Sequence, residues 1–515
     1  MKTKIKKNST TLIVLFFIIG LLFLASRGMD TKDFVITILR GFSTGSVTFL
    51  VAAGFSLIFG LLDVLNLAQG TLYMVGAYIG WTVYIRTDTF LDLLTPFLLV
   101  LSGFTLKPVW EYLANRVTLK SRITKVLAWI AVFLGIVIIA IIFNRYPIAM
   151  WDLDNYALSP ISYSFMAQQG TPLPPTEAFF EEISPILALI GFVFGSSLSA
   201  FGLAMTKRRE NIYINISWKN FIVFLLVVLF ALAVLIFNTP LTETLLSIST
   251  NWLFLISIIV AIISGYGLGS LLETTLIRPL YNRPIYQLML TLGIGTIGIE
   301  VVQAIWGRPE FVYPKPALFS GTGEGCPATS LQGLLQNHCS TISFLGGRIR
   351  VYDEIFIPII GILVLVIVWV LLKRSRIGMI IRAGVQDRHM VEALGINVRR
   401  VFTFVFSLGV SLAAFGGVLS APSTGLSTAM GERLLLSALI ALAIGGLTSY
   451  PGAALGSLLV GIIQQFLIKY GSIGIPIPFT DIVFKPSPPI IPASTMLLMI
   501  VILLILPGGL LGKKE

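Results

Sequence analysis

Charge is scarce in this sequence. Lys, Arg, Asp and Glu together make up 12% of 515 residues, against 56% hydrophobic residues. With a mean hydropathy of +0.92, this shortage excludes an ordinary soluble domain, in which about a quarter of the residues are charged. Histidine is scarcer still: His338 and His389 are the two in the chain, in different segments and outside any metal-ligand spacing. A metal cluster, a histidine-based acid–base site and a cofactor are therefore not expected, and the chain is not read as an enzyme. Cysteine also occurs twice, at Cys326 and Cys339, which excludes a disulfide-rich scaffold and a four-cysteine zinc site. The phosphate-loop pattern G-x-x-x-x-G-K-S/T does not occur, so ATP binding of that kind would have to come from another subunit.

Long apolar runs are what the sequence does have. Fourteen of them are near the length that crosses a bilayer, at about 10–26, 34–60, 67–85, 93–106, 126–143, 184–205, 220–238, 249–272, 287–306, 355–372, 401–421, 433–449, 452–469 and 494–507. The fold class expected is all-α, a polytopic membrane helical bundle of about fourteen spans. The first run, behind a basic flank, reads as an uncleaved signal-anchor span within residues 1–33. The net charge of +12 has no interleaved arginine–aromatic block, so it points to the membrane and its lipid rather than to nucleic acid. Placing the N-terminus on the inner side puts 24 of the 36 Lys and Arg residues on that side, as the positive-inside rule requires. Both termini are then cytoplasmic. Cys326 and Cys339 share the long outer loop 307–354, where oxidation is permitted, and are candidates for a disulfide.

Three stretches could carry function. In Gly60–Gly80 the polar residues Asp63, Asn66 and Gln69, followed by Gly70, interrupt apolar sequence. That pattern fits a simple cytoplasmic turn, or a broken helix facing a pathway. In Ala443–Leu459, Gly445 and Gly446 precede the turn Tyr450-Pro451-Gly452, and serve packing or a pathway alike. The third stretch, 374–400, carries Arg382, Asp387, Arg388, Glu392, Arg399 and Arg400 between two apolar runs, with Gly395 placed to end a short helix. It is a solvated interhelical loop or an amphipathic surface for a partner. Glu300 invites a proton-coupling role, or is an interfacial carboxylate.

Several ordered motifs share a pattern. GFSLIFGLLDVLNLAQGTLYMVGAY, LLETTLIRPLYNRPIYQLMLTLGIG, RAGVQDRHMVEALGINVRRV, IGGLTSYPGAALG and LILPGGLLGKK together resemble the ABC importer permeases of the branched-chain amino-acid family. The resemblance covers about 34–90 and 246–512. Thr71 stands where the family carries a glutamate, and Thr448 where it carries a glycine. Residues 91–245, with four expected spans, look inserted into the permease core, which resumes over 246–515.

The resemblance implies a transport subunit of the bacterial cytoplasmic (inner) membrane working by alternating access. Its partners would be ABC ATPase subunits, a second permease subunit and an extracytoplasmic solute-binding protein. It also implies that 374–400 is the ATPase-coupling segment, with Arg382, Asp387, Arg388, Glu392, Gly395 and Arg399 in that role. Asn66, Gln69, Gly70, Gly445 and Gly446 are then candidates for the solute pathway. Branched-chain amino acids are the implied solutes, with urea, amides or other amino acids as the alternative. An ion-coupled secondary transporter is the reading from a different class.

Overall fold

The computed structural model describes residue 20 and residues 28–116, 121–143, 184–206, 218–281, 283–307, 310–386, 388–476 and 483–511. The expected signal-anchor run 10–26 lies outside them, apart from residue 20. Along the chain come α1 (Thr31–Leu62), α2 (Gln69–Ile85), α3 (Thr87–Thr105), α4 (Lys107–Arg116), α5 (Ser121–Phe143) and α6 (Pro185–Thr206). Then follow α7 (Trp218–Ile236), α8 (Asn238–Ser247), α9 (Thr250–Leu272), α10 (Pro284–Trp306) and the short α11 (Leu331–Asn337). The hairpin β1 (Thr341–Phe344) and β2 (Gly347–Arg350) leads into α12 (Ile357–Arg374), α13 (Arg376–Gln386) and α14 (Arg388–Ala393). The last elements are α15 (Val398–Thr424), α16 (Met430–Gly445), α17 (Tyr450–Ile473), the two-residue strands β3 (Ile475–Pro476) and β4 (Val483–Phe484), and α18 (Ile490–Ile505).

The protein is a polytopic helical bundle, with two small hairpins that an all-α expectation does not include. Among the described residues ten helical runs are long and apolar enough to cross a membrane. The expected spans at 67–85, 433–449 and 494–507 fall on α2, α16 and α18, which are 17, 16 and 16 residues long. These are shorter than the roughly 20 residues of a full crossing, so the count stops short of fourteen.

Contacts divide the chain into two compact units, Met1–Trp81 with Thr250–Glu515, and Thr82–Ser249. The expected insertion 91–245 falls inside the second. In the first unit α15 is buried along most of its length, with α1, α2 and α9 packed against it. In lipid, apolar surface gains nothing by leaving one apolar phase for another, so close packing of small residues holds such helices together. A Cβ placed on Gly461 of α17 would lie 2.4 Å from the backbone nitrogen of Gly45 in α1. A Cβ on Gly54 of α1 would lie 2.4 Å from the carbonyl oxygen of Gly409 in α15.

The second unit uses the same device. Gly135 of α5 and Gly195 of α6 face each other's backbone, and Leu99, Ala188, Phe192 and Ala231 form a small apolar core. Asn238 donates to Asp92 at 2.5 Å, and Arg86 grips Asp88 with two hydrogen bonds of 3.1 and 3.0 Å.

Candidate functional site

Two regions of the first unit gather polar chemistry, one beside the 310–350 segment and one beside 374–400. The first is a cavity of about 420 Å³, within the size range of small-solute sites. Residues of α1, α2, α12, α15, α16 and α17 line it, together with the turn before α12. Its chemistry begins with a local irregularity. Val351–Phe356 forms a π-helical turn, and the adjacent acids Asp353 and Glu354 are both buried there, with side chains 7% and 0% exposed. Their position ahead of the α12 N-terminus favours negative charge, but burying two carboxylates requires more compensation than a helix end provides.

Three cations supply it. Arg40 of α1 donates to Glu354 at 2.7 Å, and Lys315 to Asp353 at 2.9 Å. Arg350 lies 3.2 Å from Asp353 and 3.6 Å from Glu354, and its backbone N–H donates to Glu354 at 2.9 Å. Ser423 of α15 donates to the other oxygen of Asp353. Hydroxyls extend the polar wall. Tyr73 of α2 is hydrogen-bonded to Ser420, and Gln465 of α17 donates to Thr44 of α1 at 2.9 Å. Val47, Ile357, Met430 and Leu434 add apolar surface, so the lining suits a solute with polar and aliphatic parts.

Sequence reasoning missed this cavity: none of its candidate residues lines it. The pathway candidates lie elsewhere in the same unit. Asn66 donates to Gln69 at 3.1 Å, and Gln69 donates to the Gly409 carbonyl at 2.7 Å, both buried. Asp63 closes α1 with a left-handed backbone (φ 52°), so this stretch is a chain reversal held by internal hydrogen bonds. Gly70 lets α2 meet Gly431 of α16, and Tyr73, a turn further on, reaches the cavity. Gly445 meets the Gly452 backbone, and Gly445 also accepts a 3.0 Å hydrogen bond from Leu511. Gly446 ends α16 at φ 106°. None of these five lines the cavity. Glu300 is exposed on α10 and is not part of the lining either.

The second region centres on α14. Val391 is buried against Val398 and Phe402 of α15, with Leu62, Tyr281 and Ile380 around them. Met390 and Leu394 are 61% and 73% exposed, an apolar presentation on an outward surface. Gly395 ends the helix at φ 79°, its N–H bonded to Glu392 O at 3.0 Å. Asn397 caps α15 by accepting from the Arg400 N–H at 3.3 Å. Arg382 on α13 donates to the Leu372 carbonyl, tying α13 back to α12. Glu392 and Arg399 are exposed. Asp387 lies outside the described residues, as does the side chain of Arg388.

Behind this surface is a buried cluster that the sequence does not assign. Glu273 is fully buried, in the π-helical turn Glu273–Ile277 that follows α9. It accepts two hydrogen bonds from Arg278, at 2.7 and 3.1 Å, one from Thr403 at 2.7 Å, and one from Tyr281. Tyr281 packs edge-on against Phe402 at 6.1 Å. The Glu273 network is thus one side chain away from the core under Val391. Elsewhere, Cys326 and Cys339 form a disulfide beside the β1–β2 hairpin, and among the described residues no metal-binding group of His, Cys, Asp and Glu occurs.

Comparison with known proteins places these regions in a family. The model of the branched-chain amino acid transport system permease component matches residues 186–507. It begins within the second unit and takes in both the 350–437 wall of the cavity and the 374–400 segment. The high-affinity branched-chain amino acid transport system permease protein LivH of Salmonella typhimurium is 27% identical over 274 residues, which is 53% of this chain and 79% of that protein. The Escherichia coli K12 LivH has the same identity and coverage. The corresponding permease protein BraD of Pseudomonas aeruginosa is 29% identical over 51% of this chain and 74% of its own length. No solved structure matches the chain.

Proposed function

Because the chain belongs to the family of branched-chain amino acid transport permease components, we propose that it carries leucine, isoleucine and valine inward as a membrane subunit of an ATP-driven importer. The family match takes in Arg350, Asp353 and Glu354 of the cavity and the 374–400 segment, and that observation carries the reading. The cavity lies toward the loop end of the bundle, which the charge distribution assigns to the outside, and is suited to receive solute there. The 374–400 segment lies on the side assigned to the cytoplasm. The chain is a transport component, and energy reaches it from separate ATPase subunits. A second permease subunit and an extracytoplasmic solute-binding protein complete the assembly in the bacterial cytoplasmic membrane.

Mechanically, the ATPase engages α14. Met390 and Leu394 present apolar contacts, and Glu392 and Arg399 set the polar rim. Gly395 allows the tight exit, and Arg382 anchors the segment to α12. Displacement of α14 passes through Val391 to Phe402 and α15, whose other end forms part of the cavity wall. Alternating access follows when α15 shifts against α1 and α2.

Affinity purification of the tagged complex in mild detergent tests this reading. Wild type is expected to bring down ATPase subunits, and Leu394→Asp to lose them while eluting normally by size exclusion. Solute uptake by a wild-type preparation that contains no ATPase would sink the reading. Uptake of urea or an amide in preference to leucine would replace the solute and leave the machinery standing.

A further inference from the structure

Among the charged residues lining the cavity, Arg40 and Arg350 are committed to Glu354 and Asp353. Arg433 is not: it lines the cavity from the first turns of α16 and has no ion-pair partner among the described residues. Its chain neighbour Glu432 is not in the lining. The position runs against ordinary helix electrostatics, since the N-terminal end already carries partial positive charge and favours an acid, not an arginine. Arg433 is exposed beside hydroxyls and an open volume, and with Arg40 and Arg350 it gives the lining three cations against two carboxylates. Guanidinium also presents a planar fork of donors that matches a carboxylate.

We propose that Arg433 is the carboxylate anchor of a solute-binding site in this cavity, taking an aliphatic α-amino acid. This rests on the transport reading above and specifies which atoms of the solute are held. The carboxylate pairs with Arg433. The ammonium faces the hydroxyls of Thr424 and Ser427, and the aliphatic part lies against Leu434 and Met430. Asp353 and Glu354, already neutralised by three cations, shape the opposite wall and do not compete for Arg433. A solute of the same shape without a carboxylate is consequently rejected at this point in the pathway, independently of any selection by a partner that delivers it.

The test is equilibrium binding of labelled leucine to the purified permease complex in nanodiscs, without a solute-binding protein. Leucinol, which lacks the carboxylate, serves as competitor. The wild type is expected to bind leucine and to be displaced by unlabelled leucine but not by leucinol. Arg433→Gln should weaken binding at least about tenfold, the scale of a lost charge-assisted hydrogen bond, and Arg433→Lys should recover part of it. Arg348→Gln, which removes an exposed arginine of β2 outside the cavity, should bind as wild type does.

The proposal is overturned if Arg433→Gln binds leucine unchanged, if leucinol competes as well as leucine, or if the wild type binds none. It is equally overturned if Arg433→Gln keeps leucine binding and loses only its association with the second permease subunit, which would make Arg433 an assembly residue. ATPase co-purification, measured on the same samples, separates failure of this site from failure of the importer reading.

Discussion

The two ends of the first unit bury carboxylates in opposite ways. Beside the 310–350 segment, Asp353 and Glu354 are held by Arg40 and Arg350, whose side chains are 41% and 49% exposed, around an open volume. Beside the 374–400 segment, Glu273 is held by Arg278, Tyr281 and Thr403. The first arrangement can loosen or re-form as a solute enters, because it borders an open volume and its two arginines are more exposed than Arg278, at 32%. The second fastens the end of α9 to the start of α15 and behaves as a clamp. Buried ion pairs are weak evidence for stability but costly to break, so under the proposed importer function the same chemistry would serve exchange at one end and force transmission at the other.

The sharpest way to break this comparison is to remove one acid at each end. Glu273→Ala removes at once the buried acceptor of Arg278, Tyr281 and Thr403 and should destabilise the protein by about 3 kcal/mol or more, read as thermal unfolding in detergent. Glu354→Ala should cost less than Glu273→Ala, because Arg40 and Arg350 can turn to water. Equal losses would erase the distinction between clamp and exchangeable wall.

Next in size is the disulfide. Cys326→Ser with Cys339→Ser opens a loop of 13 residues in sequence separation, with an expected local loss of about 3 kcal/mol. Hydrogen exchange should rise in the β1–β2 hairpin and stay unchanged around Glu273. Thr403→Val removes one hydrogen bond to a charged group and should cost about 1.5–3 kcal/mol, with ATP hydrolysis less responsive to solute. The smallest stability effect is expected for Leu394→Asp, within about 0.5 kcal/mol as for surface changes generally, although it should abolish coupling. A large stability loss there would mean that Leu394 packs inside the protein and does not present a docking surface.

How far the sequence discloses this arrangement depends on whether the signal is local. Apolar runs are local, and each expected span from 34–60 onward falls on a described helix, with ends displaced by a few residues. Three are too short to count as crossings by length alone, which hydropathy over a window does not distinguish. Gly395 and the break near Asp63 were legible because turn and cap chemistry also lies in neighbouring residues. The cavity was not. Arg40 and Glu354 are 314 residues apart in sequence, and no periodicity relates them. Asp353-Glu354 reads as the polar edge of a loop until the π-helical turn buries both acids. Glu273 was visible within LLETTLIRPLY as a motif, but its partner Thr403 comes from a helix 130 residues later. An acid at the edge of an apolar run, five residues before an arginine, was the available signal.

The central claim is that solute passes through the cavity between α1, α15 and α16. Because both native cysteines are joined in a disulfide, a single new thiol in the cavity can be labelled selectively. The most direct measurement uses Ser437→Cys, at the cavity wall, in proteoliposomes carrying the whole complex with ATP. Leucine uptake is followed before and after treatment with a bulky, membrane-impermeant methanethiosulfonate. The account predicts that uptake stops, that excess leucine slows the modification, and that treated wild type is unaffected. Full uptake through a protein with its cavity quantitatively labelled would contradict it.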